Sequence, residues 1–261
     1  MRKILFLSLF LSITSMVLAK MHTETVVYSA AGQTCKGYLA YDDALSGQRP
    51  GVLVVPEWWG LNDYPKRRAE QLAELGYIAF VADIYGNGDV MSTPEAARAK
   101  AVAFYGNRDS LRTRVNAGLS TLKANPLVDG ARVAAIGYCF GGMTALELAR
   151  SGADLVGVVS FHGSLSTPKP EDAKMIKGQV LVLTGADDPN VKADEITAFA
   201  AEMRNAGVKW NLVQYGGAVH AFTNPAAGND PSKGVAYNAD ADRRSWKEMK
   251  MFFDEIFAIQ K

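Results

Sequence analysis

Cys139 sits in the hexapeptide GYCFGG, Gly137 to Gly142, between the apolar run ARVAAIGY and the helical pattern GGMTALELARS. A thiol on a sharp strand-to-helix turn is held above the edge of a sheet, and Gly137 and Gly141 are small enough to let neighbouring backbone pass. The helix behind it offers unpaired N–H groups and a positive dipole end, which favour a thiolate and the oxyanion formed when that thiolate attacks a carbonyl. Phe140 N–H is the nearest such donor. Two later loops supply partners in the order acid, then histidine. Asp187 lies in TGADDPN, just after QVLVLTG, and His220 lies in GGAVHAF, just after VKWNLVQY. His220 would exchange protons with the thiol and the leaving group, and Asp187 would orient its imidazole. Asp188, directly before Pro189, is assigned to turn chemistry alone. The rival histidines are His22, near the start, and His162 in SFHGSL, which is assigned a supporting or structural part.

These residues require elements that bring three loops to one edge. TVVYSA and TCKGYLAY form two short strands, and GVLVVPE is a β-branched run of the kind buried in a sheet. Asn62 or Asp63 caps a helix through Leu75, with Pro65 in its first turn and Gly76 past its end. YIAFVAD is the next strand, and PEAARAKAVAFYG and SLRTRVNAGLSTLKAN are two helices divided at Asn107 and Arg108. Four further strands, ARVAAIGYC, LVGVVSFHG, QVLVLTG and VKWNLVQY, alternate with the helices GGMTALELARS and DEITAFAAEMRNAG, and a last helix lies near DADRRSWKEMKMFFDEIFAIQ. Alternation of this kind predicts an α/β fold with a mainly parallel central sheet and helices on both faces. Ligand sites of such sheets collect at the carboxyl ends of the strands, where Cys139, Asp187 and His220 all fall.

Composition narrows the function classes. The 261 residues carry 28 basic and 27 acidic side chains, so no broad basic excess exists to grip nucleic acid. Arg2 and Lys3 precede the apolar run ILFLSLFLSITSMVLA, with Val17 and Ala19 as small residues before a cut; this predicts a signal peptide over residues 1–19, cleavage after Ala19, and a periplasmic or secreted protein with no lasting membrane insertion. Residues 20–261 are then expected to form a single domain. In an oxidising compartment Cys35 and Cys139 either pair as a disulfide, or Cys139 is a working thiol and Cys35 a buried strand residue.

Glu57 in VVPEWWG, Cys139 in GYCFGG, Asp187 in TGADDPN and His220 in GAVHAF together resemble the dienelactone hydrolase family of the α/β-hydrolase superfamily, as does the stretch EWWGLNDYPKRRAEQLAELGYIAFVADIYG. The resemblance covers nearly all of residues 20–261. It implies that Cys139, His220 and Asp187 are catalytic, that Glu57 pairs with the neutral thiol at rest and takes its proton once substrate shifts the carboxylate, and that Phe140 and Trp58 give the two oxyanion-hole N–H groups. It further implies cleavage of a small ester or lactone through an acyl-cysteine, with no metal or organic cofactor. Trp59 would wall the pocket. Family members that open dienelactone hold its carboxylate with arginines, one of them shortly after the catalytic histidine; this chain has Asn224 there, and Arg98 and Arg108 are the candidates to replace part of that clamp. A thioesterase, or a binding protein that keeps the hydrolase scaffold without its activity, are the alternative functions.

Overall fold

The β-branched runs become the strands of one sheet. A computed structural model describes residues 20–258, so the expected signal segment, residues 1–19, lies outside the described residues. Strands β1 (Met21–Ala30) and β2 (Gln33–Asp42) form a longer hairpin than TVVYSA and TCKGYLAY suggested. Its turn is Ala31 and Gly32, both at positive φ (51° and 75°), the two-residue geometry that matches strand twist. Next come β3 (Arg49–Val55), helix α1 (Asp63–Glu74), β4 (Ile78–Val81), α2 (Pro94–Tyr105) and α3 (Arg108–Lys123). The chain continues with β5 (Val128–Tyr138), α4 (Phe140–Arg150), β6 (Gly157–Phe161), β7 (Gln179–Gly185), α5 (Ala193–Ala206), β8 (Trp210–Tyr215) and α6 (Ala239–Ala258).

The sheet order is β1-β2-β4-β3-β5-β6-β7-β8. β2 pairs antiparallel with β1 and β4, and every other pairing is parallel. Alternation along β3 shows why both faces are covered. Leu53 and Val55 pack with Leu111 and Val115 of α3, Leu146 of α4 and Met203 of α5. Val52 and Val54 belong to the opposite layer, with Ala69 and Leu72 of α1 and Met249 and Phe253 of α6. Successive strand side chains point to opposite faces, so a run buried on both sides reads as continuous hydrophobicity.

One polar cluster ties three helices together inside this packing. Arg150 of α4 is fully buried. Its guanidinium donates to both carboxylate oxygens of Glu202 on α5 (2.7 and 2.8 Å), to Glu147 Oε1 (3.1 Å) and to the Leu165 carbonyl (2.9 Å). Arg112 of α3 holds the other oxygen of Glu147 and also Asp172.

α2 is packed differently. Thr93 caps it by accepting from Ala96 N–H, and Pro94 occupies its first position. Only Ala97 and Ala101 are buried on it. Arg98, Ala101, Val102 and Tyr105, spaced as one helical face, line a cavity above the sheet.

Candidate active site

Gly137 is the next-to-last residue of β5, with Gly141 so close behind it that a Cβ on Gly137 would lie 1.9 Å from the Gly141 carbonyl oxygen. A Cβ on Gly141 would meet Val55 O at 2.2 Å. Both glycines are therefore demanded by close backbone approach, as the hexapeptide suggested. Between them Cys139 adopts φ 54°, ψ −117°, a costly conformation for a residue with a side chain. Phe140 opens α4, so its N–H is among the first-turn donors left without a partner inside the helix.

The thiol meets its partners directly. Cys139 Sγ lies 3.0 Å from His220 Nε2, and His220 Nδ1 lies 2.8 Å from Asp188 Oδ2. Burial works against the His220 imidazolium, but the charge at Cys139 and the Asp188 carboxylate outweigh it and raise the histidine well above its ordinary range.

The carboxylate that meets the imidazole is thus Asp188, a correction to the expectation that Asp187 would. Asp187 is exposed, and its Oδ2 accepts from Gly217 N–H (2.8 Å), bracing the turn after β8. Asp188 is buried and uses both oxygens: Oδ1 accepts from Asn190 N–H (2.8 Å), closing the turn, and Oδ2 faces the imidazole. One carboxylate therefore both closes its own turn and holds the His220 ring. The signal in the sequence was Pro189, which restricts the backbone of the residue before it.

Glu57 follows β3 at the same edge and is buried, but it does not pair with the thiol as the resemblance implied. Its Oε2 accepts from Asn224 Nδ2 (2.6 Å), while the sulfur is engaged by His220. Desolvation pushes the Glu57 carboxyl up to about 7, against the Asn224 hydrogen bond and the charges of His220 and Arg68. The folded protein thus holds a proton between about pH 4.5 and about 7 that the unfolded chain releases, so this group makes stability fall as pH rises across that window. Glu57→Gln is expected to remove the loss, about 3 kcal/mol by pH 8. Urea midpoints measured from pH 4 to 8 check this: parallel curves for the two proteins would refute it.

His162, left as a support by the sequence, has a definite place. It is fully buried at φ 41°. The Cys139 N–H is shared between the Phe161 carbonyl (3.0 Å) and His162 Nδ1 (3.1 Å). With Nδ1 accepting, the ring proton sits on Nε2, which donates to Thr223 Oγ1 (2.7 Å). Burial, followed by the charges of His220 and Arg68, holds this imidazole well below the usual histidine range, so it stays neutral. Thr223 in turn meets Tyr64 Oη (2.6 Å), which accepts from Arg68 Nε (3.2 Å). This network escaped the sequence because its members come from four distant segments.

A cavity of about 700 Å³ opens over the thiol. Trp58, Trp59, Met91, Val102, Tyr105, Asn190 and Val235 contribute to its wall, along with Glu57, Cys139, His220 and Asn224. The Trp58 carbonyl accepts from Tyr85 Oη (2.9 Å), which fixes the backbone beside Glu57. Arg98 is exposed and lines the cavity. Arg108 does not line it: its guanidinium carbon sits 5.2 Å from the centroid of the Tyr105 ring, so Tyr105 is the residue presented to a ligand. Cys35 and Cys139 are both free, which sets aside a disulfide between them; Cys35 is buried in β2.

An α/β-hydrolase sheet with a thiol, a histidine and a carboxylate in line at its edge defines a class of hydrolase. Residues 35–257 match the model of the dienelactone hydrolase family, and the chain belongs to that family. It is 43% identical to the solved structure of a dienelactone hydrolase-like promiscuous phosphotriesterase from metagenomic libraries, with a TM-score of 0.86 over 90% of this chain and 98% of that one. An uncharacterized protein of Caenorhabditis elegans is 35% identical over 57% of this chain and 95% of its own length. A Bradyrhizobium protein named "Probable 2-oxo-3-(5-oxofuran-2-ylidene)propanoate lactonase" is 29% identical over 77% of this chain and 86% of its own. The chain is accordingly a hydrolase of the carboxylic ester and lactone type.

Proposed function

We propose that the protein cleaves small esters or lactones by thiol catalysis, with Cys139 as nucleophile, His220 as proton carrier and Asp188 as its orienting acid. The observation that carries this is the continuous line from Cys139 Sγ to His220 Nε2 (3.0 Å) and from His220 Nδ1 to Asp188 Oδ2 (2.8 Å). The sulfur attacks the carbonyl carbon, a C–S bond forms, and the π pair moves to oxygen, where the N–H groups of Phe140 and Trp58 receive it. Collapse breaks the C–O bond, and the leaving alkoxide takes the proton from His220 Nε2. A water, deprotonated by the same nitrogen, then attacks the acyl-cysteine; the C–S bond breaks and the carboxylic acid departs. His162 and Thr223 hold the thiol and histidine loops at a fixed spacing while this proton moves. The names of the lactonase and phosphotriesterase relatives agree with attack on an electrophilic centre bearing an oxygen leaving group.

The test is hydrolysis of p-nitrophenyl butanoate by the purified chain beside Cys139→Ala. Turnover is expected to fall to background in the variant, with a stoichiometric acyl adduct on Cys139 trapped by acid quench in the unsubstituted protein. Equal rates in the two proteins would refute thiol catalysis.

A further inference from the structure

Resting on the thiol-hydrolase reading, we propose that this cavity selects substrates whose acyl part is uncharged, and that Asn224 is the residue setting the preference. Asn224 is buried and lines the cavity. Its Oδ1 is committed to the Ala226 N–H (3.0 Å), which turns Nδ2 toward Glu57 Oε2 at 2.6 Å. The amide meets the carboxylate without neutralising it and adds no charge of its own. Among the described residues that line the cavity, the lone lysine or arginine is Arg98, and it is exposed on α2. The other cation available, His220, is already answered by Asp188 on one nitrogen and by the Cys139 sulfur on the other. Above about pH 7, where Glu57 is ionised, a substrate carboxylate entering the cavity would therefore meet like charge from Glu57 and the thiolate.

The walls offer the opposite chemistry. Trp58, Trp59 and Met91 line the cavity, and Val102, Tyr105 and Val235 do so while keeping 57%, 41% and 40% of their surface exposed. Apolar surface left open along a cavity is surface that an alkyl or aryl part of a ligand can cover, and that burial favours binding. The matching class is a neutral alkyl or aryl ester or lactone.

The experiment, run at about pH 8 so that Glu57 is ionised, compares p-nitrophenyl hexanoate with mono-p-nitrophenyl adipate, which has a carboxylate in place of the terminal methyl. In the unsubstituted protein kcat/KM is expected to favour the hexanoate by at least about tenfold, and the adipate rate is expected to rise with added salt while the hexanoate rate stays level. Asn224→Arg, which brings a cation to Glu57, is expected to narrow the ratio by about tenfold, and Asn224→Gln, which keeps a neutral amide, to preserve it. Equal kcat/KM for the two esters, both dependent on Cys139, would overturn the preference. A ratio unchanged in folded Asn224→Arg would overturn the assignment to Asn224. Should that variant not fold, a salt-independent adipate rate in the unsubstituted protein overturns the electrostatic account. Cleavage of both esters without need of Cys139 would strike the thiol reading itself, a result distinct from each of these.

Discussion

Asp188→Asn is expected to lower kcat by about a thousand- to ten-thousandfold with the fold intact, and Asp187→Asn to change it by less than about threefold. The contrast follows from where each carboxylate points. Asp188 Oδ2 faces His220 Nδ1 at 2.8 Å. An amide there can present its NH2 group to that nitrogen, which drives the ring proton to Nε2, and an Nε2–H cannot take the proton of a thiol. Asp187 Oδ2 only accepts from Gly217 N–H, a bond that the carbonyl of asparagine can also make. Steady-state kinetics on a p-nitrophenyl ester, with thermal melts to check folding, decide the matter. Equal losses in the two variants would mean that the acid assignment is wrong.

The second large effect concerns stability. Arg150→Met is expected to cost about 3 to 5 kcal/mol, because it leaves the Glu202 carboxylate without its cation in a buried position. Glu147 suffers less, since Arg112 still reaches it at 2.8 Å. For a protein of this size the melting temperature should fall by roughly 10 °C. Arg150→Met combined with Glu202→Leu should recover most of the loss, since both partners are then apolar. Denaturant unfolding of the two variants checks the pair. A single variant as stable as the unsubstituted protein would show that the buried ions contribute nothing net.

The fold was largely legible because its signals are local. β-branched runs, caps such as Asn62 and stops such as Gly76 place elements without knowledge of their neighbours. The elbow was legible for the same reason: Gly137 and Gly141 stand in fixed relation to Cys139, and a Cβ at either would lie within 3 Å of neighbouring backbone. The carboxylate that meets His220 lies one residue beyond the expected one because Asp187 and Asp188 share a loop and differ in the direction their side chains leave it. That direction depends on how the turn docks against Gly217 and Ala218, residues some 30 positions away. Glu57 was found, yet its partner was not, since Asn224 comes from a loop 167 residues distant. His162 and Thr223 follow the same pattern: a hydrogen bond across 61 residues leaves no trace in spacing.

The arrangement of α2 separates two kinds of evolutionary freedom. Cys139, Asp188 and His220 follow the ends of packed strands, where a change of one methylene is felt through the core. Residues facing the rest of the ligand come in part from a helix with only two buried side chains, Ala97 and Ala101. Arg98 and Val102 can thus be exchanged with little effect on the spacing of Cys139, His220 and Asp188, whereas Tyr105 packs edge-on against Phe140, the residue after the thiol. A lineage that keeps the sheet and varies this one helix can explore new substrates while its chemistry stands still.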